Sequence, residues 1–396
     1  MSEGRFAESA LAWTKVIAAS PKFALAYGNR GFCNSQLGKT QLAIDDLSTS
    51  IKLSPTPLAY SNRSMAYASL GNTEAALSDI NKAIAMSPQD PLFYNNRADI
   101  STRGGDHQSA IADLNKAISI SPKHAIFFSN RCFSYLSLNS FDLALKDCQQ
   151  AVKIDPGMSL AHTNLAIILM GRGDIQNAFN EADTAVKLDP FNNVKYFLRG
   201  QLYLYLGKPD LGLADMKKAL DFVNPTSAMF NDMGYAHLML KQYDEAMTFL
   251  NKALQSDPNN IVSLQNRGIT LTALKKYDEA REDFSRILSL HATVDAFLSR
   301  AHIYTLLGLP TQALADLNAA VGMAPDTAIV YNNRGVFYLN RGESEKALSD
   351  LNKAIELDPG LIIAYKNRAF LYGKLNEKEK AERDQKTIAA LEAKQQ

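Results

Sequence analysis

Leu58-Ala59-Tyr60-Ser61-Asn62-Arg63-Ser64-Met65-Ala66-Tyr67-Ala68-Ser69-Leu70-Gly71-Asn72-Thr73-Glu74-Ala75-Ala76-Leu77-Ser78-Asp79-Ile80-Asn81-Lys82-Ala83-Ile84-Ala85-Met86-Ser87-Pro88 reads as two helices joined by a turn. Up to Leu70 the apolar residues fall three and four apart, the spacing of one helix face. Gly71 stops that helix, and Asn72 or Thr73 offers an oxygen to the first amides of the next. From Ala75 to Ile84 the three-and-four spacing resumes. Ser87-Pro88 ends it, because proline pushes the residue before it out of helical geometry. The stretch is a helical hairpin. One hairpin cannot bury its own apolar face, so it must stack on a neighbour.

The neighbours are in the sequence. Ser64 is one of eleven small residues that recur along the chain: Gly31, Ser64, Ala98, Cys132, Ala166, Gly200, Gly234, Gly268, Ala301, Gly335 and Ala369. Eight of the ten intervals are 34 residues and two are 33. Twelve residues after each landmark stands another small residue, such as Ala43, Ala76 or Ala110; twenty-four after it there is usually a proline, such as Pro55, Pro88 or Pro122. A fixed period of this length marks a stacked array of one supersecondary unit. It predicts one elongated all-α solenoid. Residues 1–23 form an incomplete repeat with a second helix only, 24–375 the array, and 376–396 a polar capping helix. Phe6, Trp13 and Val16 form an apolar strip at the incomplete end. That strip predicts self-association there, or an upstream segment that packs on it.

Charge excludes rather than identifies. The chain has 42 basic and 41 acidic residues, net +1, which speaks against nucleic acid or an anionic membrane as partner. No apolar run approaches the roughly 18 residues of a membrane span, so no membrane insertion is expected. No basic-then-apolar leader is visible either, and a cytoplasmic location is expected. Cys33, Cys132 and Cys148 have no metal spacing and make no even disulfide set; all three are expected to be buried free thiols. Gly38-Lys39-Thr40 mimics the end of a phosphate-binding loop. However, Cys33 stands where that loop needs glycine, and no strand precedes it. The six histidines are scattered, without ligand spacing. No nucleophile elbow appears. No cofactor, metal site or catalysis is expected.

Two polar rows follow the period. Arginine immediately precedes the landmark in nine repeats, and aspartate follows sixteen residues after each arginine: Arg30 with Asp46, Arg63 with Asp79, Arg131 with Asp147, Arg334 with Asp350 and the rest alike. The two repeats without the arginine carry Leu165 and Met233, and at the aspartate place Glu181 and Phe249. This joint loss predicts a structural Arg–Asp pair across each hairpin. Asparagine stands two residues before the landmark in eight repeats: Asn29, Asn62, Asn96, Asn130, Asn164, Asn266, Asn333 and Asn367. Asparagine is a poor mid-helix residue, so something outside the helix must favour it. Two readings are open. The amides pair with the backbone of an extended peptide, or they hydrogen-bond between repeats. The residues after the landmark, Phe32, Met65 and Phe133 among them, would line the same groove.

The unit resembles the tetratricopeptide repeat. The likeness rests on the landmark Gly/Ala/Ser, the tyrosine three residues later (Tyr67, Tyr135, Tyr203, Tyr304, Tyr338, Tyr372), the second-helix alanine and the closing proline. It covers essentially the whole chain. It implies a right-handed superhelix whose first helices line a concave groove, and a non-catalytic scaffold that binds a protein or peptide segment there. The asparagine row resembles that of the repeat arm of O-GlcNAc transferases, which raises the alternative of a regulatory or substrate-recruiting arm of a larger enzyme. The RNA-binding pentatricopeptide array is disfavoured by the period and the charge. The carboxylate-clamp subfamily is disfavoured by Gly28, Phe32, Leu92 and Asn96 at its ligand positions.

Overall fold

A computed structural model of the chain describes residues 2–220 and 225–393; Met1 and the last three residues of the polar cap lie outside them. The described residues form helices and no strand, in two compact units, Met1–Leu206 and Gly207–Gln396.

The first unit opens with α1 (Ser2–Ala19). Hairpins follow: α2 (Ala24–Gln36) with α3 (Thr40–Leu53), α4 (Pro57–Ser69) with α5 (Thr73–Met86), and α6 (Pro91–Arg103) with α7 (His107–Ile120). Next come α8 (Ala125–Ser137) with α9 (Phe141–Ile154), α10 (Ser159–Gly171) with α11 (Ile175–Leu188), and α12 (Asn193–Tyr205). The second unit opens with α13 (Pro209–Leu220) and continues with α14 (Ser227–Met239) and α15 (Tyr243–Ser256), then α16 (Ile261–Ala273) and α17 (Tyr277–Leu290). It closes with α18 (Val294–Leu306) and α19 (Pro310–Met323), α20 (Ala328–Asn340) and α21 (Ser344–Leu357), α22 (Ile362–Lys374) and α23 (Lys378–Ala393). Even numbers are first helices and odd numbers second helices.

Seven residues after each landmark the backbone turns left-handed. Glycine does this in seven repeats, Gly71 at φ 74° for example, and Asn139, Lys241, Lys275 and Asn376 in the other four. That conformation ends the first helix at the same length every time. Side-chain caps start some of the next elements. Asn72 Oδ1 accepts from the Ala75 amide, and Thr56 Oγ1 from the Ala59 amide.

Several hairpins close by volume exchange between the landmark and the residue sixteen further on. A methyl at Gly31 would sit 2.7 Å from Leu47, one at Gly234 2.6 Å from Leu250, and one at Gly268 2.9 Å from Phe284. A small residue on the first helix therefore receives a large one from the second.

The fourth repeat breaks that pattern and corrects the sequence expectation of free thiols there. Cys132 and Cys148 occupy the two exchanging places and are joined as a disulfide, with Cα atoms 5.5 Å apart and both residues fully buried. Sixteen residues is also the separation at which Gly31 faces Leu47, Gly234 faces Leu250 and Gly335 faces Leu351, so the sequence had placed the two sulfurs in contact. Cys33 remains a buried free thiol, and burial pushes it above the ordinary cysteine value.

Most successive first helices approach one another inside each unit, α2 with α4 and α18 with α20 for example, while no two successive second helices approach as closely among the described residues. The stack within each unit is tighter on the first-helix side, which is therefore its inner side. No described helix is long and apolar enough to cross a membrane.

Candidate functional site

The first helices present residues four and three apart on one face, as helical geometry requires. Counting from the landmark, these are the residues six before, two before and one after. The row two before is the asparagine row. The row one after includes Phe32, Phe133, Ile167, Tyr235, Ile269 and Phe370, all between 40 and 57% exposed. Met65 belongs to it but packs partly against the Ala76–Ile80 core. Phe32 meets Phe6 of α1 edge-on at 6.1 Å.

The row six before the landmark was not read from the sequence, although it is periodic: Leu25, Leu58, Leu92, Ile126, Leu160 and Val194 in the first unit. Leu25, Leu58, Leu92, Leu160 and Val194 are 45 to 60% exposed. Leucine and valine in an amphipathic helix read as core, which hid them. Amides thus run between two exposed apolar rows.

The arginine beside the landmark is withdrawn from this face. In the eight arginine-bearing hairpins contained within one unit, the guanidinium grips the aspartate with two bonds. Arg63 Nε and Nη2 donate to Asp79 at 2.6 and 3.0 Å, and Arg131 to Asp147 at 2.6 and 2.7 Å. Arg30 holds Asp46 and Arg334 holds Asp350 in the same way. The hydrogen bond to Asp79 raises the Arg63 guanidinium above its ordinary value, against desolvation that lowers it. Tyr60 and Tyr67 sandwich it at 5.9 and 5.7 Å.

The third arm of the guanidinium reaches the preceding repeat. Arg97 Nη1 donates to Asn81 Oδ1 at 2.7 Å, Arg131 to Asn115 at 2.6 Å, Arg267 to Asn251 at 3.0 Å and Arg368 to Asn352 at 2.7 Å. In the shorter repeats a serine serves, Ser48 for Arg63 and Ser285 for Arg300. Where the arginine is absent, at Leu165 and Met233, the preceding repeat carries Gln149 and Lys217 instead. In the fifth repeat His162, buried beside Leu165, takes over Glu181 at 2.5 Å and the Pro156 carbonyl at 3.0 Å. In the seventh, Phe249 stacks on His237 at 5.3 Å.

The asparagine row divides. Five of its amides bond to the preceding repeat, to the residue three before that repeat's landmark. Asn96 donates to Ser61 Oγ at 3.0 Å, Asn130 to Asn95 Oδ1 at 2.9 Å and Asn164 to the Ser129 carbonyl at 3.4 Å. Asn266 donates to Asn231 at 3.0 Å and Asn367 to Asn332 at 2.8 Å. Asn29, Asn62 and Asn333 make no such bond among the described residues. The cause is local for two of them. The acceptor place before Asn62 is Gly28, and before Asn333 it is Leu298.

Both places open into concavities on the first-helix face. Leu25, Gly28, Asn29, Leu58 and Asn62 line one of about 370 Å³ between α2 and α4. His302, Asn333, Leu298, Val336 and Asn340 line another of about 260 Å³ between α18 and α20. Among the described residues no cluster of three or more metal-ligating side chains occurs.

Family models described as Tetratricopeptide repeat match residues 62–125, 229–260, 249–282, 266–326 and 328–361. No curated protein matches the sequence. The crystal structure of the APC/C hetero-tetramer Cut9-Hcn1 is similar at a TM-score of 0.55, with 14% identity, over 93% of this chain and 87% of that one. It shows the fold. The human IFIT1 dimer with m7Gppp-AAAA aligns at a TM-score of 0.49, with 15% identity, over 85% of this chain and 90% of that one. YrrB, a TPR protein with an unusual peptide-binding site, aligns at 0.33 with 20% identity, over 56% and 97% of the two chains. The last two likenesses are too distant to carry an argument.

Proposed function

Because the chain belongs to the tetratricopeptide repeat family, we propose that it is a non-catalytic interaction scaffold that grips an extended protein segment on the first-helix face of its first unit. The observation that carries this reading is the pair Asn29 and Asn62. Among the described residues neither amide is consumed by a neighbouring repeat, and both border the concavity between Leu25 and Leu58. A free carboxamide offers one donor pair and one acceptor, the complement of a peptide bond. An extended segment has peptide groups to spare, whereas a helix has already paired its own. Leu25 and Leu58 flank the amides, 55 and 60% exposed, and suit apolar side chains of that segment. In the next three repeats, Asn96, Asn130 and Asn164 have spent a donor on the stack and keep the carbonyl oxygen. Asn96 and Asn130, which are half-buried, would accept from ligand N–H groups along the same line, whereas Asn164 is buried.

The test uses a partner recovered by affinity capture, reduced to its binding segment as a synthetic peptide, and the full chain. Asn29→Ala with Asn62→Ala removes two amide contacts, each worth about 0.5–1.5 kcal/mol net. Affinity is expected to fall roughly five- to a hundredfold at unchanged helicity. Gly28→Ser gives Asn62 an internal partner, as Ser61 does for Asn96, brings its Cβ 3.2 Å from Ser50 Oγ, and is expected to weaken binding. Unchanged affinity in both variants would place the ligand elsewhere.

A further inference from the structure

Two departures from the period meet in the first repeat. Gly28 stands three residues before the landmark, where every other repeat carries a side chain, Ser61 and Asn95 for example. Ser50 stands nineteen after it, where eight repeats have alanine, Ala83 and Ala117 for example, and two have isoleucine. The two face each other across the hairpin, since a methyl at Gly28 would lie 3.2 Å from Ser50 Oγ. The missing side chain on α2 thus uncovers a hydroxyl on α3. Ser50 is only 4% exposed, yet it lines the concavity of about 370 Å³ between α2 and α4, and its hydroxyl makes no hydrogen bond among the described residues. Of the other lining residues only Ala59 is buried, so Ser50 is the one polar group at depth. Nearer the mouth stand the exposed Phe23, Leu25, Leu53 and Leu58. Lys22 is exposed there too, where its ammonium keeps its water. No described acidic residue lines the space.

An occupant of this space must be apolar along its length and carry one uncharged polar group at its tip. An ionised tip would lie beside Ser50 without a counter-charge. A purely apolar tip would leave the Ser50 hydroxyl desolvated and unpaired. Carboxamides and imidazoles bring more polar atoms than a single hydroxyl can pair, and an indole N–H lies at the side of its ring rather than at the tip. Serine and threonine hydroxyls sit too close to their own backbone to reach past the leucines. A phenol fits, with one O–H for one hydroxyl and a ring for the apolar wall. A void of about 150 Å³ holds benzene, so the ring has room. We propose that this concavity is the anchor pocket for a tyrosine side chain of the bound segment, with Ser50 bonded to the phenol oxygen. The inference rests on the reading that this face grips an extended segment, and it adds a side-chain anchor where Asn29 and Asn62 read backbone.

The test titrates the full chain with p-cresol, which is the tyrosine side chain alone, and with toluene, which lacks its hydroxyl. The backbone amide resonances of Gly28 and Ser50 locate the binding and give its affinity. p-Cresol is expected to bind about tenfold tighter than toluene, the loss that follows when a buried hydroxyl goes unpaired. Ser50→Ala copies Ala83 and keeps the stack, and it is expected to bring the two affinities together. Gly28→Ala covers Ser50 with a methyl and is expected to do the same. Asn29→Ala with Asn62→Ala is expected to leave p-cresol binding unchanged. The pocket is overturned if p-cresol leaves both resonances in place, if it binds no tighter than toluene, or if its preference survives both Ser50→Ala and Gly28→Ala. The wider reading is checked apart, with the capped peptide acetyl-Gly-Leu-Gly-Tyr-Gly-Leu-Gly-amide. It is expected to bind at least about tenfold tighter than p-cresol and to lose most of that gain in the Asn29→Ala/Asn62→Ala variant. A peptide no tighter than p-cresol, or one whose gain survives that variant, overturns the backbone-reading groove and leaves the pocket standing.

Discussion

Arg97→Ala separates the two tasks of the arginine row. The side chain makes two bonds to Asp113 in its own repeat, at 2.8 and 2.6 Å, and one to Asn81 in the repeat before, at 2.7 Å. Asp113 is 7% exposed, so truncating the arginine strands a buried carboxylate. Breaking such a pair costs about 3–5 kcal/mol when both partners are fully buried. The Arg97 side chain is 29% exposed, which discounts the loss to about 2–4 kcal/mol. The Asn81 bond lies at the surface and is worth about 0.5–1.5 kcal/mol. In a stacked array the first quantity enters the stability of one repeat and the second enters the interface between two. Guanidinium unfolding followed at 222 nm, for the three single and two double substitutions, gives both coupling energies. Arg97 with Asp113→Ala is expected to couple by about 2–3 kcal/mol, and Arg97 with Asn81→Ala by about 0.5–1 kcal/mol. Coupling below about 0.5 kcal/mol in the first cycle would refute the account of a desolvated intra-repeat pair.

Three further outcomes are expected. Asn96→Ala should cost about 0.5–1.5 kcal/mol of stability because its amide joins two repeats, whereas Asn62→Ala should leave the melting temperature unchanged; equal effects would remove the distinction between committed and free amides. Reduction of the Cys132–Cys148 bond should cost about 3 kcal/mol for a loop of this size. Cys132→Ala with Cys148→Leu, copying Ala98 and Leu114, should fold alike with and without dithiothreitol, and a collapse of that variant would show that volume exchange does not govern the place. Gly234→Ala should cost about 1–3 kcal/mol through overpacking against Leu250, with partial recovery in Gly234→Ala/Leu250→Ala, which copies Ala166 and Ala182; calorimetry on both variants checks it.

The hairpins were legible because a period of 34 states the same arrangement eleven times. The Arg–Asp pairs were legible because Leu165 and Met233 lose both partners together. What periodicity could not give was direction. Whether an asparagine turns to its neighbour or outward depends on an acceptor 35 residues away, as Ser61 is for Asn96, and that register appears only once the repeats are stacked. The disulfide was hidden for a related reason. Cys132 and Cys148 look like scattered thiols until their separation is seen to equal that of Gly31 and Leu47, which touch. The leucine row at Leu25, Leu58 and Leu92 was present in the sequence and was absorbed into the core, since burial of leucine is the common outcome.

The arginine's reach backward has a consequence for how such a chain can be lengthened or shortened. Asn81, Arg97 and Asp113 form one bonded trio, yet a cut at the proline between hairpins divides it. A segment running from 80 to 113 keeps the trio whole and is also 34 residues long. The portable cassette of this array is thus out of phase with its visible hairpin and begins midway along a second helix. Copies inserted in that phase carry their own fastening at each end; copies inserted in the hairpin phase inherit whatever the previous repeat offers. Placed behind Gln149 or Lys217, an arginine-bearing hairpin would arrive without its asparagine.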